Sequence, residues 1–199
     1  MRKAKDLKNL KKVKQNLNND WKLEYPDENK WIDAVVPGNV HLDLLRNKLI
    51  PDPFFGKNEA ELQWISDKNW TYKLTFNTDQ SILSKENIEI LFHGLDTYAD
   101  IYLNGEKVIS ANNMFHQWNA DIKELIKKEM NELIIQFRSP LVEVAGKMKL
   151  LDYSLPADND QAGKTSPHTR KAPYHYGWDW GPCLVTSGIW KGVELVGWD

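Results

Sequence analysis

Trp70-Thr71-Tyr72-Lys73-Leu74-Thr75-Phe76 alternates bulky apolar side chains with polar ones, and successive side chains of an extended chain point to opposite faces. Trp70, Tyr72, Leu74 and Phe76 therefore share one face, and that face belongs in a core. Working outward, β-branched and aromatic runs between turn signals predict further strands over 20–25, 87–93, 99–103, 107–111, 132–139 and 189–198. Asn104-Gly105, set between Ile101-Tyr102-Leu103 and Lys107-Val108-Ile109, is a two-residue hairpin signal. Short strands at this spacing predict an all-β sandwich interrupted by a few short helices, over 41–48, 59–65 and 141–150.

The 199 residues suit one β-sandwich domain. A chain of that length buries about 70% of the surface its unfolded form exposes, enough for a core without staples. Cys183 is the single cysteine, so no internal disulfide is available. A formal net charge of −2 gives no basic field for nucleic acid or an anionic membrane. Locally the head is different: seven basic residues and one acidic residue, Asp6, lie between Arg2 and Lys14, with Leu7, Leu10, Val13 and Leu17 at helical spacing. A solvated charge run is the favoured reading of this head, with a short amphipathic helix and a frayed terminus as alternatives. No run approaches the roughly 18 apolar residues of a membrane span, and the head lacks the apolar stretch of a secretion signal, so a cytoplasmic location is expected.

From about 152 to 182 the chain is rich in Pro, Gly, Asp and Asn and follows neither hydrophobic period. Irregular connections of that length inside compact domains are commonly functional. Its end, Tyr174-His175-Tyr176-Gly177-Trp178-Asp179-Trp180-Gly181-Pro182, sets one carboxylate between two indoles. Flat apolar faces beside a strong acceptor suit a sugar, whose ring packs its C–H face on aromatics while its hydroxyls donate hydrogen bonds. The competing reading is an aromatic plug in which Asp179 satisfies backbone N–H groups. His168 and His175 are candidate polar contacts, although packing histidines are commoner. The five histidines, His41, His93, His116, His168 and His175, show no metal-ligand spacing. Asp158-Asn159-Asp160 with Gly163 lacks the terminal Glu of a calcium loop. Arg170 and Lys171 are candidates to pin the loop to Asp152 or Asp158, a reading that stands level with a substrate contact. Neither Cys183 nor Ser187 lies in a nucleophile motif, there is no glycine-rich phosphate loop, and no carboxylate pair for glycoside hydrolysis is identifiable.

A set of ordered motifs carries a family resemblance. They are Val36-Pro37-Gly38-Asn39-Val40-His41, Ile50-Pro51-Asp52-Pro53-Phe54-Phe55-Gly56, Leu62-Gln63-Trp64-Ile65, Phe92-His93-Gly94-Leu95-Asp96-Thr97-Tyr98-Ala99-Asp100 and Tyr102-Leu103-Asn104-Gly105. Arg170-Lys171-Ala172-Pro173-Tyr174, Gly177-Trp178-Asp179-Trp180-Gly181-Pro182 and Thr186-Ser187-Gly188-Ile189-Trp190 complete the set. In these motifs the chain from about residue 17 to 199 resembles the N-terminal sugar-binding domain of the glycoside hydrolase family 2 enzymes, with the Trp-Asp-Trp segment favouring the β-mannosidases.

The resemblance implies a galactose-binding-domain-like jelly-roll sandwich over 17–199, preceded by a basic extension over 1–16. It implies, in the parent chain, a downstream immunoglobulin-like domain and a barrel carrying both catalytic glutamates, so that this segment holds no catalytic residue, metal or cofactor. The implied activity is retaining, exo-acting removal of terminal β-D-mannose. Asp179 would bind hydroxyls of that mannose, while Trp178 and Trp180 shape the pocket wall, one facing the sugar and the other the sandwich core. The implied partners are a β-mannoside and the downstream domains, with neither nucleic acid nor membrane. A stand-alone lectin-like module and a structural domain of a β-galactosidase or β-glucuronidase are the alternatives. Cys183 departs from the family pattern, standing where many relatives carry Arg, which puts the rigidity of the loop in question.

Overall fold

A computed structural model describes residues 12–26, 28 and 30–199. Among the described residues, ten strands form two antiparallel sheets that face each other. The larger has the order β3-β2-β4-β9-β6-β7 and the smaller β1-β10-β5-β8, giving a β-sandwich of jelly-roll type. The strands are β1 Val13–Asn16, β2 Lys22–Tyr25, β3 Lys30–Asp33, β4 Trp70–Phe76, β5 Asn87–Phe92, β6 Tyr98–Leu103, β7 Glu106–Asn112, β8 Trp118–Asp121, β9 Asn131–Arg138 and β10 Val193–Trp198.

Period-two patterning decides which faces meet. On β4, Trp70, Tyr72 and Leu74 are buried while Phe76 is only partly covered at the strand end. On β9, Leu133, Ile135 and Phe137 are buried. Tyr72 is the hub of an aromatic stack, edge-on to Phe137 at 5.7 Å and to Trp21 at 6.5 Å. Edge-to-face contacts of this kind contribute about 0.5–1.5 kcal/mol beyond their area. β5 and β10 supply the facing layer with Ile88, Ile90, Phe92, Val193 and Leu195. The Asn104-Gly105 turn joins β6 and β7 with both residues at positive φ, 53° and 91°, as a two-residue hairpin twisted to match its strands requires.

Three strands escape the sequence signal. β1, β3 and β8 have four residues each, and in each at least half of the residues are exposed or nearly so. β1 also corrects the reading of the basic head. Residues 13–16 pair antiparallel with β10 and Leu17 lies in the core, so the sheet reaches upstream of residue 17 and helical spacing is overridden there. The remainder of that head, residues 1–11, lies outside the described residues.

Among the described residues five short α-helices decorate the sandwich: α1 Val40–Arg46, α2 Asn58–Glu61, α3 Trp64–Asp67, α4 Gln80–Leu83 and α5 Pro140–Met148. The single helix expected over 59–65 is split into α2 and α3, with Leu62 and Gln63 as the caps between them. α1 starts at Asn39, whose side chain accepts from Leu42 N–H at 3.1 Å. Buried Asp43 then ties α1 to the sandwich, accepting from Val35 N–H, Arg46 and, at 3.0 Å, the Tyr72 hydroxyl.

Candidate functional site

Trp178-Asp179-Trp180-Gly181 is a tight turn. Trp178 N–H donates to Gly181 O and Gly181 N–H donates back to Trp178 O, both at 3.3 Å. Asp179 and Trp180 take the two central positions, which project from the chain rather than into it. Trp180 is 84% exposed and Trp178 40%. Their rings stand edge to face with centroids 6.1 Å apart. Neither indole enters the sandwich core, which corrects the expectation that one of them faces it. A four-residue turn is too short to reach back to the sheets.

The turn is held by what precedes and follows it. Tyr176, Cys183 and Val185 are buried together as a small satellite core. Cys183 N–H donates to Glu59 at 2.7 Å and Cys183 O accepts from Gln63 at 2.8 Å, so the position that departs from the family pattern is pinned on both sides. Burial and the nearby Glu59 and Asp160 carboxylates push its thiol up to about 11, which removes thiolate chemistry near neutral pH. Gly177 has φ +103°, and a Cβ there would lie 3.0 Å from Gln161 Nε2 and 3.1 Å from Asn159 O. Upstream, Asp160 is used as a turn-maker, its carboxylate accepting from the N–H groups of Ala162, Lys164 and Ser166.

Beside the turn opens a cleft of about 660 Å³. Trp178, Trp180 and Tyr174 line it from the loop, and Leu42 and Leu45 of α1 line it together with Phe54. Asp179 stands at the tip of the turn, exposed and outside the lining. The polar residues of the lining, Asn39, His41, His175 and Thr186, are half-buried or buried and form its floor. Backbone pairing builds that floor. Val40 N–H donates to Ser187 O, Gly38 N–H to Ile189 O, and Asp96 and Gly188 exchange two hydrogen bonds, all at 2.9 Å. Gly188 is required by this close approach, because a Cβ would lie 2.6 Å from Asn39 Cα.

Beneath the floor lies a buried ion pair. Lys171 Nζ sits 2.5 Å from both carboxylate oxygens of Asp96 and shares its remaining N–H between Thr186 O at 2.9 Å and Thr186 Oγ1 at 3.1 Å. Lys171 is thereby assigned to Asp96, not to Asp152 or Asp158 as the sequence led us to expect. Thr97 and Thr186 hydroxyls complete the shell of Asp96 at 2.6 Å. Burial lowers the pKa of Lys171, and Asp96 opposes that shift. Burial, reinforced by Lys171, lowers both His41 and His175 to about 4. His175 Nδ1 lies 3.9 Å from Asp96 Oδ2, within ion-pair range, but a ring held that low is neutral at pH 7 and the contact is not an ion pair. His41 is buried, with no hydrogen-bond partner for either ring nitrogen among the described residues.

Trp178, Trp180 and His175, named from sequence, thus line one cleft, while Asp179 lies on the same turn but outside the lining. His168 is elsewhere, in a short 3-10 turn over Ser166–His168. His41, Thr186, Asp96 and Phe54 were missed as site residues; their motifs were visible, but nothing local tells that α1 and the 170–188 segment meet.

Residues 21–191 match the family model described as glycosyl hydrolase 2 galactose-binding domain-like. The chain is 37% identical over 186 residues to beta-mannosidase B of Thermothelomyces thermophilus, covering 90% of this chain and 21% of that protein. It superposes on the crystal structure of beta-D-mannosidase from Dictyoglomus thermophilum with a TM-score of 0.88 at 41% identity, over 94% of this chain and 23% of the other. A beta-glucuronidase from an uncultured Clostridium sp. shares the fold with a TM-score of 0.56 at 19% identity, over 94% of this chain and 29% of the other. The chain spans about one fifth of the length of the curated relatives it matches.

Proposed function

The chain belongs to the glycosyl hydrolase 2 galactose-binding domain-like family, and from that premise we propose that it is the sugar-contacting N-terminal domain of a retaining exo-β-mannosidase. The observation that carries the reading is the turn itself. A carboxylate and two indoles are held outward on a pinned loop, exposed where a sandwich needs no aromatic residue. Asp179 accepts hydroxyl hydrogen bonds from the terminal mannose while Trp178 and Trp180 pack against its ring. A hydroxyl missing from the wrong sugar leaves the carboxylate unpaired, so the contact gives specificity and positioning rather than bond cleavage. Leu42, Leu45 and Phe54 supply an apolar face for the neighbouring part of the enzyme, where the catalytic carboxylates reside.

In this division of labour the 199-residue chain alone performs no hydrolysis. Because one loop provides one wall, its affinity for methyl β-D-mannopyranoside is millimolar or weaker, about −4 kcal/mol or less favourable. Turnover of 4-nitrophenyl β-D-mannoside by the purified chain would contradict the reading. Micromolar binding by calorimetry would replace it with a stand-alone lectin.

A further inference from the structure

The hydrogen-bond inventory around Asp96 fixes the state of His175. With Lys171 Nζ at 2.5 Å from both its oxygens, Asp96 is a carboxylate and only accepts. Thr186 Oγ1, 2.6 Å from Asp96 Oδ2, must therefore use its single proton there. Its lone pairs are left to receive Lys171 Nζ at 3.1 Å and His175 Nδ1 at 3.2 Å. An unprotonated Nδ1 would meet an oxygen lone pair, so Nδ1 carries the proton of the neutral ring. Nε2, which has no hydrogen-bond partner among the described residues, is left with a free lone pair.

We propose that His175 is a hydroxyl-recognising residue on the floor of the cleft, its Nε2 preset as the acceptor for a hydroxyl of a sugar packed against Trp178. Asp96, Thr186 and Lys171 are positioning residues that lock the tautomer. The inference rests on the sugar-binding reading above and adds to it a second acceptor, uncharged and separate from Asp179. His175 lines the same cleft as Trp178 and Thr186, with its side chain 19% exposed. Burial and Lys171 keep the ring neutral down to about pH 4, so the acceptor persists through ordinary working conditions. A neutral acceptor discriminates by the same rule as a charged one: a sugar without the matching donor strands a desolvated lone pair.

The test uses the 15N-labelled chain at pH 7 and long-range proton–nitrogen spectra of its imidazoles, before and after methyl β-D-mannopyranoside. The expected free state has a pyrrole-type Nδ1 and a pyridine-type Nε2 for His175. Mannoside is expected to move Nε2 while leaving Nδ1 in place. Thr186→Val should mix the tautomers, Thr186→Ser should restore the single one, and His175→Phe should weaken mannoside binding about three- to tenfold. A protonated Nε2 in the free wild-type chain overturns the proposal, and that result stands even if the Thr186 variants fail to fold. An unmoved Nε2 with a displaced Trp180 indole N–H signal also overturns it, while leaving the role of the turn intact. No displacement at either residue overturns both.

Discussion

Asp179 and Trp180 occupy the centre of a turn whose closure depends on backbone groups alone, so their side chains are free of any duty to the fold. Trp180, at 84% exposure, has almost no buried area to lose. Trp180→Ala should therefore change the unfolding free energy by less than about 0.5 kcal/mol, as surface substitutions generally do. Mannoside binding should weaken severalfold at the same time. Urea unfolding beside calorimetry separates the two effects, and a stability loss above about 2 kcal/mol would make the indole part of the scaffold. Lys171 is the opposite case. It is fully buried against Asp96, and removing either partner strands a charge in the interior. No local pattern announces this pairing, because the two residues are 75 positions apart and closer acidic residues offered themselves.

At the scale of elements, the conformation of one glycine controls how firmly the turn is presented. Gly177→Ala places a Cβ about 3 Å from Gln161 Nε2 and Asn159 O on a backbone at φ +103°, a strain of about 1–3 kcal/mol. Amide exchange over 176–183 should accelerate roughly five- to a hundredfold while β4 and β9 keep their protection. Unchanged exchange in the turn would show that Gly177 does not set its rigidity. The strands legible in advance were those with an alternating pattern long enough to read, such as β4, β5 and β9, where one face is buried. The four-residue strands β1, β3 and β8 were not, since partial burial blurs their alternation and partners supply their order. The loop over 152–182 was recognisable from its lack of any period, and the Trp-Asp-Trp turn from its composition. The cleft was not, because α1, Phe54 and the loop come from three separate parts of the chain, brought together by backbone pairing at Gly38–Val40 and Ser187–Ile189 and by the bonds of Glu59 and Gln63 to Cys183.

The whole molecule carries a pH signature that follows from its buried His41 and half-buried His175 imidazoles. His41 and His175 are lowered from 6.5 to about 4 in the folded chain, so between those values the unfolded chain binds more protons. Stability therefore rises with pH across that window, is full above about 6.5, and is lost as pH falls from 6.5 to 4. The slope is up to about 1.4 kcal/mol per pH unit for each ring. Asp43, whose carboxyl burial pushes upward, acts in the opposite sense near the foot of the window. Urea unfolding at pH 7, 5.5 and 4.5 reads the trend, and a flat profile would mean that the two rings titrate as they do in the unfolded chain.

The same molecule spans about one fifth of its curated relatives, so its central role is tested in the complete enzyme that the proposed function requires. The measurement is kcat/KM for 4-nitrophenyl β-D-mannoside before and after Asp179→Ala. Loss of a contact made in a closed site should lower it by about 2–4 kcal/mol of transition-state stabilisation, roughly 30- to 1000-fold, with the unfolding midpoint unmoved. A value within twofold of wild type would take Asp179 out of the site and contradict the role assigned to the turn.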